Sequence, residues 1–292
     1  MLRPDVVRPR SMKEALQALS SRGALPLAGA TDLIPAMRKG EIRPRLLVNL
    51  KSLPGINGIH RLRGGLRIGA LTPVADLLHS KYIAKDFPLL AEVAHDFGSV
   101  QIRNLATIGG NLCNAAPSAD FALPLLALDA RLQIRRPQRP RELDLSDFFR
   151  GVNKTALRRG EILAAIIIPR RRVRTGAAHA KLGVRRAMDL ATAAVAVALR
   201  LRPDGRTCAQ ARIALGAVAP IPMRARTAES LLEAQAITPS LIREAADAAA
   251  SEARPITDLR ASADYRRRMT RTLTQRLLRE ALRRAKHKER AR

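Results

Sequence analysis

The chain has 292 residues, enough for one large or two ordinary domains, and carries 53 Lys and Arg against 25 Asp and Glu, a formal net charge of +28. That balance fits a nucleic-acid surface, an acidic protein partner or an arginine-rich solvated surface, but with 2% aromatics and no Trp it offers no interleaved platform for stacking bases. Two cysteines, Cys113 and Cys208, and five scattered histidines provide no disulfide framework, no iron–sulfur cluster held by this chain alone and no zinc spacing.

In chain order, "SMKEALQALS" places Ser11 three residues before Glu14, a capping box that predicts a helix start. Leu25 to Ala28 reads as a short strand, Gly29 as a turn, and Thr31 or Asp32 as the cap of a short helix. Residues 45–50, "RLLVNL", form another strand, and strand, helix, strand at this spacing predicts a small parallel unit. Leu66 to Ala70 is a strand, with Thr72 as a cap and Pro73 at the first helical position. "FPLLAEVAHDFG" is a helix stopped by Gly98, and a further helix starts near Asp120. "RLQIR" and "EILAAIIIP" are strands. The Arg-rich run 169–178 marks a domain boundary.

Beyond it, "AAHAKLG", "LATAAVAVALRL" and "TCAQARIALGAVA" predict three antiparallel strands, followed by helices from about Arg224 to Lys286. The last helix carries Met269, Leu273, Leu277, Ala281 and Leu282 on one stripe. From Tyr265 onward there are 12 Lys and Arg against 2 Glu, which reads either as the solvated face of an amphipathic helix or as a docking surface for an acidic partner. The N-terminus has charges and prolines where a signal peptide needs an apolar run, and the longest apolar runs are too short to span a bilayer, so the expectation is a soluble cytoplasmic protein.

Two segments carry the chemistry. In "PLAGATDL" (26–33) and "ATIGGNL" (106–112), glycine follows an apolar run and polar groups come next. Glycine lets backbone approach a ligand and exposes N–H groups that hold phosphate oxygens. Two such segments suit a diphosphate, although a double glycine also serves simply as a tight turn. No GxGxxG, no P-loop, no GxSxG and no Cys/His constellation is present, so a Rossmann site, a P-loop nucleotidase and a hydrolase are not supported. A stand-alone oxidase would need its own base, and none is evident.

"AGATDLI", "IGALTPVADL", "QIRNLATIGGNLCNAAPSADFALPLLALDA", "GEILAAIIIP" and "ASADYRRRM" occur in the order seen in the flavoprotein (medium) subunit of the molybdenum hydroxylases, the carbon monoxide dehydrogenase and xanthine dehydrogenase type, which the chain resembles from about residue 4 to about residue 280. The resemblance implies an α+β chain. A two-subdomain α/β FAD-binding domain of the PCMH or vanillyl-alcohol-oxidase type would span 1–175, divided into about 1–55 and 56–175. A C-terminal domain of three antiparallel strands, a helical bundle and the basic helical tail would span 176–292.

It also implies non-covalent FAD, since neither segment contains a His. Pro26, Leu27, Ala28, Gly29, Ala30, Thr31, Asp32 and Leu33 resemble a first phosphate loop, and Thr107, Ile108, Gly109, Gly110 and Asn111 a second. Asp120 matches a position that binds cofactor hydroxyls, or else is a plain helix cap. Phe97 matches an aromatic near the flavin, or else is core. Leu163 matches a residue beside the isoalloxazine, and Lys181 a lysine at its carbonyl edge that favours negative charge there. No catalytic acid or base is implied.

The implied function is electron transfer within an oxidoreductase complex, a dimer of heterotrimers. A large subunit would hold the molybdenum cofactor, a small subunit two [2Fe–2S] clusters, and NAD, a quinone or dioxygen would be the acceptor. One departure is Ala30, where the family commonly has a second glycine; if the position needs positive φ, alanine is strained. The alternative is a basic docking or nucleic-acid-binding protein on the same fold that has lost FAD.

Overall fold

The computed structural model describes residues 4–185 and 188–287. Arg186 and Ala187 and the last five residues of the basic tail lie outside the described residues. The N-terminal unit comprises β1 (Asp5–Val7), α1 (Met12–Leu19), β2 (Ala24–Leu27), α2 (Leu33–Arg38) and β3 (Leu46–Asn49). Its three strands are parallel in the order β1-β3-β2. The predicted capping box forms: Ser11 Oγ accepts from the Glu14 N–H at 3.2 Å, and the Glu14 carboxylate accepts from the Arg10 N–H at 2.9 Å. That bond and the Ser11 hydroxyl hold the Glu14 carboxyl below its ordinary range.

The middle of the chain adds β4 (Ile59–Leu62), β5 (Gly65–Gly69), α3 (Val74–His79), α4 (Lys81–Asp86), α5 (Pro88–His95), α6 (Val100–Leu105), α7 (Ile108–Asn114) and α8 (Ala122–Ala127). Then come β6 (Arg131–Arg135), β7 (Arg141–Asp144), the short hairpin β8 (Phe149–Gly151) and β9 (Lys154–Thr155), and β10 (Ile162–Pro169). Here β10 is the centre of an antiparallel sheet ordered β4-β5-β10-β6-β7. The predicted cap is corrected. Pro73, not Thr72, precedes the first helical residue Val74, and the fully buried Thr72 hydroxyl donates to the Gly58 carbonyl at 3.2 Å.

Strand β10 faces two cores. Ile162 and Ala164 pack with Leu16, Leu19 and Val48 of the N-terminal unit, whereas Leu163, Ile166 and Ile168 join the central core. A period of two cannot put 162 and 166 on opposite faces. The register shift between Leu163 and Ala165 resets the parity and turns Leu163 toward the centre.

The C-terminal part has β11 (Thr175–Leu182), β12 (Ala193–Leu201), β13 (Cys208–Gly216) and β14 (Met223–Arg224), an antiparallel sheet in sequence order. The sheet thus gains a fourth, two-residue strand beyond the three expected. Helices α9 (Arg226–Leu232), α10 (Pro239–Glu252) and α11 (Ala263–His287) pack against it. On α11, Leu277, Leu278 and Ala281 are buried and Met269, Leu273 and Leu282 partly so. The helix lies close to β11: a Cβ on Gly176 would fall 1.9 Å from the Ala281 carbonyl oxygen. The basic helix is not uniformly solvated. Arg266 is buried and donates to the carbonyls of Thr192 and Ala217 and to Asp258. Among the described residues no helix is long and apolar enough to cross a membrane.

Candidate functional site

The two glycine segments meet. An added Cβ on Gly29 would fall 2.1 Å from the Leu105 carbonyl oxygen, so the turn after β2 lies directly on the residues preceding Thr107. Only glycine permits that approach. The first segment then curls: Ala30 has φ of +63°, the left-handed conformation that glycine adopts without strain. Thr31 and Asp32 do not cap α2. Asp32 occupies the cap position in helical conformation with no side-chain bond to the helix. Among the described residues, the backbone N–H groups of Ala28, Gly29, Ala30, Thr31, Asp32 and Leu33 donate to no protein acceptor. Six consecutive unspent amides around a left-handed residue are donors that an anion can use.

The second segment differs from its expectation. It is a helix start, not an open loop. Thr107 is the N-cap of α7 and accepts the Gly110 N–H at 3.0 Å. Ile108 N–H donates to Thr72 O at 3.1 Å, Gly109 N–H to Ala70 O at 2.8 Å, and Asn111 N–H to Thr107 O at 3.0 Å. These amides are therefore committed inside the protein. Gly109 is required by packing, since a Cβ there would lie 2.6 Å from Ala70. Gly110 is different: beyond its own helix, the only atom such a Cβ would meet is Thr107 Oγ1, at 2.8 Å. The space beside Gly110 is open to a ligand.

From α7 the site continues through Asn111, whose side-chain oxygen accepts the Phe121 N–H at 3.1 Å. This bond fixes the turn that carries Asp120, and it was not foreseen from the sequence. Asp120 is not a helix cap; α8 begins at Ala122 without a side-chain cap. Instead Asp120 Oδ1 accepts from Lys181 Nζ at 2.9 Å, and the same ammonium donates to the Asp96 carbonyl at 3.1 Å. Burial pushes the Asp120 carboxyl up, and the Lys181 ammonium opposes that rise. Lysine has three donors, and two are spent.

The half-buried Phe97 ring lies 5.5 Å from that of Phe121, so the aromatic is held over the same turn. Leu163 is buried, and the Ala70 N–H bonded to Ala164 O places its strand directly behind Gly109. Of the expected residues, Gly29 touches the segment before Thr107, Asp120 and Lys181 are bonded to each other beside Phe97 and the turn held by Asn111, Leu163 is core on the strand behind Gly109, and Pro26 and Leu27 belong to β2.

His179 was missed. It precedes Lys181 by two residues on β11, its Nε2 is buried without a partner, and burial followed by the Lys181 charge pushes its pKa down to about 4. The spacing of two along a strand was the available signal. Burial also pushes the thiols up, Cys113 to about 12 and Cys208 to about 11, so neither is a thiolate near neutrality.

Residues 2–171 match the model described as "FAD binding domain in molybdopterin dehydrogenase", and residues 178–281 match "CO dehydrogenase flavoprotein C-terminal domain". The chain is 32% identical over 278 residues to the xanthine dehydrogenase FAD-binding subunit of Escherichia coli O157:H7, covering 94% of each. It is 34% identical over 275 residues to the carbon monoxide dehydrogenase medium chain of Hydrogenophaga pseudoflava, covering 94% of this chain and 95% of that one. A solved chain of carbon monoxide dehydrogenase from Hydrogenophaga pseudoflava superposes with a TM-score of 0.93, covering 97% of this chain and 98% of that chain at 34% identity.

Proposed function

The chain belongs to the FAD-binding medium subunits of the molybdenum hydroxylases, and we propose that it carries electrons from a partner's iron–sulfur clusters to an external acceptor. The observation that supports the FAD site most strongly is the run of six unspent amides at 28–33, in a segment whose Gly29 touches the residues leading into α7. This donor array fits the two charges of the FAD diphosphate.

In this reading the first segment binds the diphosphate through its N–H groups, and Gly110 leaves room for it. Asp120, with one carboxylate oxygen on Lys181, keeps the other for cofactor hydroxyls. Lys181, with one donor unspent, would serve the flavin's carbonyl edge, and the Asp120 charge would moderate the ammonium's attraction for negative charge there. Phe97 shapes ring access, and Leu163 supplies an apolar surface behind the ring. When bound, FAD supplies the redox chemistry, which relays electrons between one-electron donors and an acceptor. The protein's part is to bind, orient and exclude water, for which no general acid or base is needed.

The proposed complex is a dimer of heterotrimers in the cytoplasm, with a molybdenum-cofactor large subunit and a [2Fe–2S] small subunit. The acceptor is NAD, a quinone or dioxygen. The proposed division into FAD-binding and C-terminal domains falls near residue 175. The exposed arginines of α11 are the proposed docking face for a partner subunit.

The test is anaerobic addition of substrate to the assembled complex while the flavin and iron–sulfur absorbances are followed together. Electron transfer through this chain predicts that the flavin band bleaches after the clusters are reduced. Clusters that reduce while the flavin stays oxidised would contradict it.

A further inference from the structure

A second concavity lies at the other end of β10 from Leu163. There Pro169 pairs with Gly65, and the Arg170 N–H donates to Gly64 O at 2.8 Å. This register holds Arg63, in the β4–β5 turn, beside Arg170, in the segment joining β10 to β11. The C-terminal end of α4 supplies Lys85 and Asp86, and the buried Phe87 closes the base. The cavity has a volume of about 600 Å³. That is the size of a small-molecule site and too small for a folded partner.

Its charge is one-sided among the described residues: Arg61, Arg63, Lys85, Arg170, Arg171 and Arg172 line it, against Asp86 as the one described carboxylate of the lining. Asp86 is already engaged by Arg61 at 3.2 Å. Arg171 is the pivot, because it also lines an adjoining apolar-walled hollow with Leu89, Leu128 and Arg284. Burial and the neighbouring Arg284 charge lower the Arg171 pKa, and Asp86 offsets part of that. Crowded cations with too little counter-charge favour a bound anion. Guanidinium groups arriving from separate elements match the paired oxygens of phosphate better than a lone carboxylate. A single strand of nucleic acid is disfavoured, because the nearby Tyr82 ring is covered by the Arg61 guanidinium at 5.6 Å and is not free to stack.

We propose that this cleft is an anion site separate from the two glycine segments, and that it takes a small soluble ligand carrying two or more linked phosphates. The inference does not depend on the chain binding FAD.

The test is calorimetric titration of the full-length chain with sodium tripolyphosphate, in saturating FAD so that the 28–33 amides are competed for. The expected result is saturable binding of one ion per chain. Arg63→Ala/Arg170→Ala should weaken it about tenfold or more, the loss expected for charge-assisted contacts. Arg268→Ala/Arg276→Ala, which removes the same charge from the exposed face of α11, should leave it unchanged. If the first pair does not unfold cooperatively, Arg63→Lys/Arg170→Lys replaces it: weakening of binding with charge retained supports the site, and unchanged binding overturns it. The proposal is also overturned by no saturable binding in the parent chain or by equal loss in both alanine pairs.

Discussion

Lys181 on β11 and Asp120 ahead of α8 are joined by a 2.9 Å ion pair that ties the C-terminal sheet to the turn fixed by α7. The side chains keep only 17% and 20% of their exposure, so removing one partner leaves a poorly solvated charge. Lys181→Met should cost roughly 2 kcal/mol, below the figure for fully buried pairs because some solvent reaches both groups. The burial that raises the Asp120 pKa would then act unopposed. A raised carboxyl pKa stabilises the fold below the unfolded value and loses that contribution as pH rises through the folded one. The deficit of Lys181→Met should therefore be largest near neutrality and shrink toward about pH 4. Urea unfolding at several pH values checks this; a pH-independent deficit contradicts it.

Ala30 sits at φ of +63° without being glycine. A left-handed alanine costs about 1–2 kcal/mol, and glycine's looser unfolded chain returns about 0.4–1 of that. Ala30→Gly should raise stability by roughly 0.5–1 kcal/mol and keep or tighten flavin retention. Thermal unfolding with and without FAD measures both, and a lowered midpoint would show that the turn is not strained.

Gly29 and Gly110 should respond differently to alanine. At Gly29 the new Cβ meets fixed backbone at 2.1 Å, and the two segments must part. A loss of roughly 2–3 kcal/mol is expected, the range for forced overpacking. At Gly110 the obstacle is a threonine hydroxyl, so Gly110→Ala should cost under about 1 kcal/mol, the order of a weakened cap. A bulkier Gly110→Leu should remove FAD while the chain stays folded. Comparing unfolding midpoints with flavin content separates the two effects; flavin retained in a folded Gly110→Leu chain would take α7 out of the site.

His179 titrates against the fold. Its ordinary value of 6.5 falls to about 4, so the unfolded chain binds its proton more readily. The stability associated with the neutral ring is complete above about pH 6.5 and is lost as pH falls toward 4, by roughly 3 kcal/mol in total. His179→Leu should remove that slope: relative to the parent, the variant gains stability across this interval. Parallel pH dependences would contradict the assignment.

What the sequence made legible follows from locality. The Ser11–Glu14 capping box, the parallel β2–α2–β3 unit and the three apolar strands after residue 175 are written in short windows. So was the run around Gly109 and Gly110, as a pattern. Its meaning was not, because whether an amide is free depends on distant acceptors: the Gly109 N–H is spent on Ala70 and that of Ile108 on Thr72. The inward turn of Leu163 depends on a bulge set by pairing with β6. Arg266 looked like tail charge because its acceptors, Thr192 and Ala217, lie 74 and 49 residues away. Strand β1 escaped notice because its three residues are all exposed and carry no alternation.

Whether the chain holds a flavin is measured most directly by the visible spectrum of the purified chain, followed by acid release and identification of the chromophore. The account predicts released FAD at close to one per chain, falling sharply in Gly110→Leu. A colourless chain that also fails to take up added FAD would contradict it.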